Sequence, residues 1–411
     1  MNTPEHIVIV GAGHAGGRVA QHLRALGYDR RLTLVGEEPH APYERPALSK
    51  ELLKGERSAA ELVLGPSDFW MDGSAVEHVR GRASALDAGA KLLTLDDGST
   101  IGFDRLVVAT GARARTLNIP GADLPGVVTL RTIDDSLALR ETLAPGRRVA
   151  IVGAGVIGME VAASARALGA DVTVLEAGQR ILARCLPPAA SEWLHALHTA
   201  DGTRIETGVQ VSRIERDGTV LRVHVARDGE TWTLAADIVL AAVGIDSGVD
   251  FLQGTGIANE HGVAVGADCR SPVAPWCFAA GDVALTYSPL YQRAVRQETW
   301  RNAENQAQAV AGFILGRTEP YVEVPWMWTD QLGHNIQVVG HPGDADEIMV
   351  RHGVSGDPAT MLLLRGEQVV GGVLINNGRD RKHLEALVRQ GTRVERSRLA
   401  DTAVPLKALA S

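Results

Sequence analysis

Two stretches of the chain share one arrangement of apolar and small residues. In each, a continuous apolar run, 7–10 or 149–152, leads into glycines, then into apolar residues three and four positions apart, and then into a second apolar run. A continuous apolar run predicts a buried strand, and the spacing of three and four predicts a helix. The pattern therefore predicts two copies of a strand, a tight turn, a helix and a second strand.

Each copy carries the glycine spacing G-x-G-x-x-G at its turn. The glycines are Gly11, Gly13 and Gly16 in the first copy and Gly153, Gly155 and Gly158 in the second. The first glycine permits the turn, the second lets backbone N–H groups approach a pyrophosphate, and the third allows the helix to pack closely on the strand. An acid near the end of each second strand, Glu37 or Glu176, would accept hydrogen bonds from an adenosine ribose. Two copies predict two dinucleotide-binding sites.

Two dinucleotide sites in one chain need two different ligands. Because a hydride donor and a hydride acceptor must both be held, we expect one tightly bound flavin adenine dinucleotide (FAD) and one exchangeable nicotinamide dinucleotide. Glu176 would repel the 2′-phosphate of NADPH, and Ala177, Gly178 and Gln179 place no arginine where one usually receives that phosphate. Arg180 lies close enough to weaken this preference, and NADH is the expected donor.

Composition and charge exclude several other classes. The 411 residues suffice for about two to three domains of roughly 150 residues. The hydrophobic fraction of 45% and the mean hydropathy of +0.00 are typical of a soluble globular protein. No apolar stretch is long enough to span a bilayer, and the N-terminus has no signal-like core, so we expect a cytoplasmic protein. The net charge of −8 disfavours nucleic acid as the main partner.

Cysteine and histidine usage argues against metal and thiol chemistry. Cys185, Cys269 and Cys277 are far apart in the sequence, so it encodes no C-x-x-C pair, disulfide framework or cluster site. The 13 histidines show no H-E-x-x-H pattern. We therefore expect three small buried thiols and no metal ion.

Two further motifs are similar to those of a known superfamily. The run D-R-L-V-V-A-T-G at 104–111 resembles its strand ending in A-T-G, and C-F-A-A-G-D at 277–282 resembles its second flavin motif. Together with the glycine turns, they make nearly the whole chain resemble the FAD-dependent pyridine nucleotide–disulfide oxidoreductases, the glutathione reductase-like superfamily. The disulfide reductases of that superfamily carry a redox-active cysteine pair, which this sequence lacks.

Three longer segments resemble one branch of the superfamily. They are P-Y-E-R-P-A-L-S-K at 42–50, E-T-W-R-N-A-E-N-Q at 298–306 and V-P-W-M-W-T-D-Q at 324–331. All three are similar to segments of the NADH-dependent ferredoxin reductases that serve Rieske dioxygenases and cytochrome monooxygenases, the putidaredoxin reductase-like branch. In the third segment, Met327 and Thr329 depart from the more common Phe and Ser.

This resemblance implies an activity and a partner. The expected enzyme is an NADH:ferredoxin oxidoreductase that takes hydride from NADH through FAD and passes single electrons to a [2Fe–2S] ferredoxin. That ferredoxin would feed an oxygenase, as in aromatic hydrocarbon catabolism. Two alternatives stay open: a flavin-dependent NADH oxidase, and a non-catalytic flavoprotein that NADH switches, similar to the apoptosis-inducing-factor branch. We expect a monomer or homodimer with no membrane or nucleic-acid partner.

The resemblance also implies which residues form the sites. The implied FAD contacts are Gly11, Gly13, Ala15, Gly16, Glu37, Arg45, Lys50, Ala83, Ala109, Thr110, Gly111, Arg131, Gly281, Asp282 and Trp300. The implied NAD contacts are Gly153, Gly155, Ile157, Gly158, Glu160, Glu176, Arg184 and Gly244. As catalytic residues we expect Lys50, which would tune the flavin, Glu160 as its charge partner, and Trp328 on the electron path. In the other interpretation, Lys50 and Glu160 are ordinary surface residues. Trp328 and Trp326 are then ordinary core or interface residues.

Basic residues outline a candidate docking face. Arg293, Arg296 and Arg301 flank the predicted flavin-side helix, and residues 379–398 contain seven Lys or Arg against three acids. A basic patch would steer an acidic ferredoxin towards the protein. A solvated helix face explains the same residues equally well.

The motifs together predict an α/β fold with three parts. Two are Rossmann-like dinucleotide-binding domains, with the NAD-binding domain, 114–243, inserted in the FAD-binding domain, 1–113 and 244–319. The third is a C-terminal α+β domain, 320–411, that would dock the partner. Its predicted elements are strands at 335–339, 347–350 and 369–374 and a helix from Arg381.

Overall fold

The computed structural model describes residues 3–71, 75–351 and 359–410. They form two compact units, each assembled from three separate segments of the chain. The first unit consists of Met1–Pro46, Ala59–Arg113 and Asp246–Glu323, and the second unit consists of Ala47–Ser58, Ala114–Ile245 and Val324–Ser411. The two glycine-rich copies therefore belong to different units.

A parallel sheet of five strands forms the centre of the first unit. Their order across the sheet is Cys277–Ala279, Arg105–Val108, His6–Val10, Arg31–Gly36 and Glu77–Arg80. Ile7, Val8 and Ile9 of the central strand have no exposed surface, because both faces of the sheet are covered. The helices His14–Ala25 and Trp300–Ile314 supply part of that cover.

Two smaller sheets complete the first unit. One is antiparallel and contains Ala83–Asp87, Leu92–Leu95 and Thr100–Gly102. The other contains Ala258–Asn259, Gly262–Val265, Ala284–Ser288 and Arg293–Arg296. Short 3₁₀ turns lie at Ala59–Leu62, Ser67–Trp70, Asp250–Leu252 and Gly281–Val283. The short strands Ala112–Ala114 and Ile245–Ser247 mark where the chain passes between units.

The second unit repeats the parallel arrangement. Its sheet has the order Arg204–Thr207, Asp171–Glu176, Arg148–Val152, Ile238–Ala241 and Val127–Val128. The associated helices are Glu51–Lys54, Ile133–Thr142, Val156–Ala167 and Pro188–Ala200. An antiparallel sheet follows, made of Gln210–Asp217, Val220–Arg227 and Glu230–Ala236. Both predicted strand, turn, helix and strand copies are therefore confirmed.

The C-terminal part of the second unit is an antiparallel sheet of five strands. Their order is Trp326–Gln331, His334–Gly340, Gln368–Ile375, Thr360–Arg365 and Glu347–Arg351. The helices Arg381–Gln390 and Arg396–Ala400 follow, with 3₁₀ turns at Pro342–Asp344, Gly378–Asp380 and Leu406–Ala408. The predicted α+β character of this part is confirmed. None of the helices in the described ranges has both the length and the apolar composition that crossing a membrane requires.

The glycine turns of the two units are built alike. Gly11 and Gly153 have φ of +114° and +105°, values that residues with a side chain rarely adopt. The amide of each donates a hydrogen bond of 2.8 Å to a carbonyl of the neighbouring strand. A Cβ on Gly16 or Gly158 would overlap the carbonyl oxygen of Gly11 or Gly153. The third glycine therefore lets the helix start directly against the first strand.

We predict that Gly158→Ala lowers the free energy of unfolding by about 1–3 kcal/mol, because the new methyl group would meet rigid backbone. Gly312→Ala is the matched control. Gly312 is also helical, but a Cβ there would meet only the flexible side chain of Arg317, at 3.1 Å. The control should be neutral or gain up to about 1 kcal/mol of helix propensity. Chemical denaturation measures both, and equal stability of the two variants would contradict the packing role of Gly158.

Candidate functional site

In the first unit, a concave cradle forms at the carboxyl end of the parallel sheet. The strand Arg105–Val108 runs into Ala109, Thr110 and Gly111, and the amide of Ala109 donates 2.8 Å to the carbonyl of Val10 beside the Gly11 turn. Ligands bind parallel α/β sheets at this edge. The hydroxyl oxygen of Thr110 is buried and has no hydrogen-bond partner among the described residues, as expected of a group that faces a polar ligand.

The motif at Gly281 and Asp282 approaches the same turn. Gly281 has a φ of +79°, and a Cβ there would lie only 2.9 Å from the Cβ of Ala15. The amide of Gly281 donates to Oε1 of Gln306 at 2.9 Å, which fixes the backbone of this motif. The structure thus brings together Gly281 and Ala15, which are remote in sequence but both predicted to contact FAD.

Arg45 lies beside the middle glycine of the first turn. A Cβ on Gly13 would stand 3.4 Å from Nη2 of Arg45, so the open space of this turn faces a guanidinium group. Glu38 holds that group through a contact of 2.7 Å to Nη2, and the guanidinium lies 4.9 Å from the centre of the Tyr43 ring. A positive charge beside a helix N-terminus suits a pyrophosphate. These residues fit the predicted FAD.

Trp300 begins the helix Trp300–Ile314. Its ring lies 5.3 Å from the ring of His14, the first residue of the helix His14–Ala25. Nε2 of His14 in turn contacts Oε2 of Glu304 at 2.8 Å. The predicted flavin-side helix is therefore fastened to the helix that follows the first glycine turn.

Two further residues predicted to contact FAD, Glu37 and Ala83, also belong to the first unit. Glu37 is exposed and pairs with Arg113 at 3.2 Å. The strand pairing makes Gly36, not Glu37, the counterpart of Glu176, so Glu37 stands one position further along the chain. Ala83 opens the strand Ala83–Asp87 and is partly buried. Contacts of Glu37 and Ala83 with FAD stay predictions.

Two other predicted FAD residues, Lys50 and Arg131, belong to the second unit. The amide of Arg131 donates 2.9 Å to Oδ2 of Asp135, just before the helix Ile133–Thr142. Thr132 caps this helix, because its hydroxyl accepts from the amide of Asp135. A defined helix end therefore positions Arg131.

The second glycine turn presents open backbone. A Cβ on Gly155 would meet no atom within 4 Å, and Ile157 keeps 44% of its surface exposed. Gly244, at the carboxyl end of the neighbouring strand, is exposed and has a φ of +109°. Arg184 is exposed as well. These residues leave room for the pyrophosphate that the motif predicts.

Glu176 closes the far side of this turn. Its two oxygens accept from the amides of Ala154 and Gly178, each at 2.6 Å, so the carboxylate is fixed at the end of the strand. Arg180 is held elsewhere, by the carbonyl of Leu186 at 2.6 Å and the hydroxyl of Ser191 at 2.8 Å. Arg180 is therefore engaged by groups other than the Glu176 carboxylate.

Lys50 and Glu160 form a buried ion pair in the second unit. Their Nζ and Oε1 atoms are 3.2 Å apart, and the residues are 7% and 4% exposed. The hydroxyls of Ser49 and Thr329 donate to the same carboxylate at 2.5 and 2.6 Å. Burial raises the pKa of Glu160, while Lys50 and the two hydroxyls oppose that rise. The two residues therefore lie paired in the interior of this unit and not on its surface.

The two tryptophans of the C-terminal sheet lie on one face of their strand. The rings of Trp326 and Trp328 stack with centroids 5.1 Å apart and an interplanar angle of 19°. The guanidinium of Arg381 lies 4.8 Å from the centre of the Trp326 ring and pairs with Glu385 at 2.5 Å. Aromatic and cationic groups thus form one continuous stack.

Several arginines of the candidate docking face are paired with acids. Arg296 contacts Glu298 at 2.5 Å and Arg301 contacts Glu323 at 3.1 Å. Arg396, in the segment 379–398, pairs with Glu347, which lies outside that segment. These ion pairs reduce the positive potential that the sequence alone suggests.

None of the three cysteines is in a disulfide. Cys269 and Cys277 are buried, as predicted, whereas Cys185 is only partly buried. Burial raises the pKa of Cys269 and of Cys277 to about 12. A thiol with such a pKa stays protonated and unreactive at neutral pH. Across the described ranges, no group of three or more His, Cys, Asp or Glu side chains could hold a metal ion.

Sequence reasoning missed three residues that hold the predicted ones in place. They are Ser49 and Thr329 at Glu160, and Gln306 at Gly281. Ser49 and Thr329 lie inside the segments 42–50 and 324–331, but only the folded chain shows that both face one carboxylate. Gln306 ends the segment 298–306, but nothing in the sequence indicates that it accepts from the amide of Gly281.

Two family models match the chain. The model described as pyridine nucleotide-disulphide oxidoreductase matches residues 5–307. The model described as reductase C-terminal matches residues 326–410. Together they cover both units.

Similar proteins are known by sequence and by structure. The ferredoxin--NAD(+) reductase component of the anthranilate 1,2-dioxygenase system of Burkholderia cepacia is 37% identical over 97% of this chain and 98% of its own. The corresponding component of the biphenyl dioxygenase system of Paraburkholderia xenovorans is 39% identical over 94% of this chain and 93% of its own. The ferredoxin reductase for the CYP199A2 system of Rhodopseudomonas palustris superposes with a TM-score of 0.93 at 34% identity, covering 99% of this chain and 100% of that one.

A further solved structure contains a bound partner. The reductase in the covalent putidaredoxin reductase–putidaredoxin complex matches with a TM-score of 0.91 and 32% identity over 99% of this chain and 98% of that one. The fold, the two glycine turns and these matches agree over nearly the full length. The chain belongs to the pyridine nucleotide-disulphide oxidoreductase family and carries a reductase C-terminal region.

Proposed function

We propose that this protein is an FAD-dependent, NADH-oxidising ferredoxin reductase of an oxygenase system. The observation that carries the proposal is the combination of two dinucleotide turns with three cysteines of which none is in a disulfide and two are buried with raised pKa values. Without a thiol relay, electrons must leave the flavin directly for an external acceptor. Relatives that match nearly the whole chain are named as ferredoxin--NAD(+) reductase components of dioxygenase systems.

FAD is the cofactor of this reaction and, when bound, supplies the centre that accepts a hydride and releases single electrons. In this chain, the Gly11 turn, Thr110 and the motif at Gly281 would hold it, with Arg45 beside its pyrophosphate. Support comes from the unpartnered oxygen of Thr110 and from the space that the glycines leave.

NADH is the proposed electron donor, and the second glycine turn would hold its pyrophosphate. Gly155 leaves the backbone open for close approach, and Glu176 would accept hydrogen bonds from the adenosine ribose. The carboxylate already accepts two backbone hydrogen bonds and keeps its orientation. Such a fixed negative charge disfavours the 2′-phosphate of NADPH.

Lys50 and Glu160 would act on the flavin. A cation beside a flavin ring favours the form that carries more electrons, because that form is more negative. Glu160 would hold the ammonium in place, which the burial of the pair supports. Trp328, stacked on Trp326, would lie on the electron path towards the partner. The region 320–411 would then serve as the docking domain.

The resemblance to ferredoxin reductases also supports a type of ferredoxin, domain bounds, a location and an oligomeric state. The ferredoxin would be of the [2Fe–2S] type and would feed a Rieske dioxygenase or a cytochrome monooxygenase. We further propose the division into domains at 1–113 with 244–319, 114–243 and 320–411. The cytoplasm would be its location, and it would work as a monomer or homodimer.

The function is tested by anaerobic stopped-flow mixing of the purified yellow protein with NADH, followed by mixing with a [2Fe–2S] ferredoxin. We expect the flavin to bleach with NADH and then to reduce the ferredoxin much faster than it reduces oxygen in a parallel experiment. Faster discharge into oxygen would replace the proposal with an NADH oxidase. Slow bleaching with a long-lived charge-transfer band would instead favour an NADH-switched flavoprotein.

We predict that Glu176→Gln relaxes the preference for NADH. Gln keeps one of the two oxygen acceptors that the backbone amides use and removes the charge. Loss of one like-charge contact is worth at least about 1.4 kcal/mol, or about tenfold. The ratio of kcat/KM for NADPH to that for NADH should therefore rise by about tenfold or more.

Glu230→Gln is the matched control for this prediction. Glu230 is also an acid of the second unit, but it is exposed at the start of the strand Glu230–Ala236. Steady-state kinetics with both coenzymes should show no change in the ratio for this variant. An unchanged ratio in Glu176→Gln would remove Glu176 from the coenzyme site.

A further inference from the structure

A chain of buried polar side chains continues from Glu160 into the second unit. The hydroxyl of Thr329 lies 2.6 Å from Oε1 of Glu160, and Nε2 of Gln331 lies 2.9 Å from that hydroxyl. Oε1 of Gln331 then lies 2.8 Å from Nε2 of His198. All four residues are at most 4% exposed. We call these four residues the Glu160 chain.

The donors and acceptors of the Glu160 chain fix its direction. An ionised carboxylate can only accept, so the single proton of the Thr329 hydroxyl must point to Glu160. The oxygen of Thr329 then accepts from the amide nitrogen of Gln331, and the carbonyl oxygen of Gln331 accepts from Nε2 of His198. Every hydrogen bond in the chain therefore donates towards Glu160.

The state of His198 agrees with this direction. Burial lowers the pKa of His198, which keeps the ring neutral, with one proton. That proton is needed on Nε2, where it faces Gln331. Nδ1 is buried and makes no hydrogen bond among the described residues, as a deprotonated ring nitrogen in an apolar setting would.

The Glu160 chain has an electrostatic role in addition to filling space, because Glu160 needs hydrogen-bond donors to stay charged. Burial raises the pKa of its carboxyl group, and Lys50 is the charged group that acts against this rise. Lys50 Nζ is 3.2 Å from the carboxylate, whereas the hydroxyls of Ser49 and Thr329 are closer, at 2.5 and 2.6 Å. Loss of one such donor would favour protonation of Glu160 and cancel the charge that pairs with Lys50.

The same chain fixes the strand that carries the tryptophans. Thr329 and Gln331 alternate along Trp326–Gln331 and share one face, while Trp326 and Trp328 share the other. Anchoring the first face to Glu160 therefore determines where the stacked rings lie.

We propose that Thr329, Gln331 and His198 are positioning residues that keep Glu160 ionised and paired with Lys50. The effect on Lys50 matters for catalysis only if the proposed function is correct. The ionisation of Glu160 does not depend on that function, so the two can be tested separately.

The test is infrared difference spectroscopy of the holoenzyme between acid and alkaline pH, which detects the carbonyl band of a protonated carboxyl group. We expect Thr329→Val to raise the pH at which Glu160 gains its proton by about one to two units, the equivalent of one hydrogen bond to a charged group. Thr329→Ser, which retains the hydroxyl, should restore the original pH. The band should be missing in Glu160→Gln with Thr329→Val, which assigns it.

The variant His198→Phe tests the far end of the Glu160 chain. Without its N–H donor, Gln331 is oriented less firmly, so the shift should have the same sign as in Thr329→Val but be smaller. Thr360→Val is the matched control, because Thr360 is also buried in the C-terminal sheet but its hydroxyl accepts from Asn377 at 3.0 Å. It should leave the titration of Glu160 unchanged.

The outcomes separate the two claims. No shift in a folded Thr329→Val variant, or a shift there with none in His198→Phe, would overturn the positioning chain. A shift of the Glu160 titration in both variants supports the positioning role of the Glu160 chain, whatever the behaviour of the flavin. If the midpoint potential of the flavin in these variants equals that of the unchanged protein, the proposed role of Lys50 is wrong but the positioning role is still supported.

Discussion

The buried ion pair of Lys50 and Glu160 is the interaction on which the second unit depends. It joins three pieces of chain that are remote in sequence: Ala47–Ser58, the helix Val156–Ala167 and the strand Trp326–Gln331. Removing two charges from water is costly, and the cost is met only if every remaining polar group is satisfied. The hydroxyls of Ser49 and Thr329 complete that requirement at the carboxylate. A segment that follows the first dinucleotide motif is thereby built into the second unit.

Local sequence was sufficient for the two turns. Gly11, Gly16, Gly153 and Gly158 each occupy a position where backbone geometry or a close carbonyl excludes a side chain, so their spacing alone predicts the structure. The Glu160 chain could not be predicted, because it depends on which side chains meet after residues more than a hundred positions apart come together. A histidine such as His198 has the same pattern in sequence as an ordinary core histidine of an amphipathic helix.

The charge around each candidate site could not be predicted from the sequence either. The sequence predicts basic patches by counting, but the folded chain pairs Arg301, Arg381 and Arg396 with carboxylates, in two cases with a residue outside the patches. Glu176 shows the reverse: its neighbour Arg180 is held by other groups, so the local negative charge is stronger than the sequence suggests. Net charge over a segment therefore says little about the field at a site until its ion pairs are known.

We propose that Lys50 and Glu160 act together on the flavin. A double-mutant cycle of Lys50→Met and Glu160→Gln, read as the midpoint potential of the bound flavin, measures that coupling directly. We expect Lys50→Met to lower the potential, by an amount that differs clearly in the Glu160→Gln background. A potential that Lys50→Met leaves unchanged, or two effects that simply add, would contradict a joint action of the pair on the flavin.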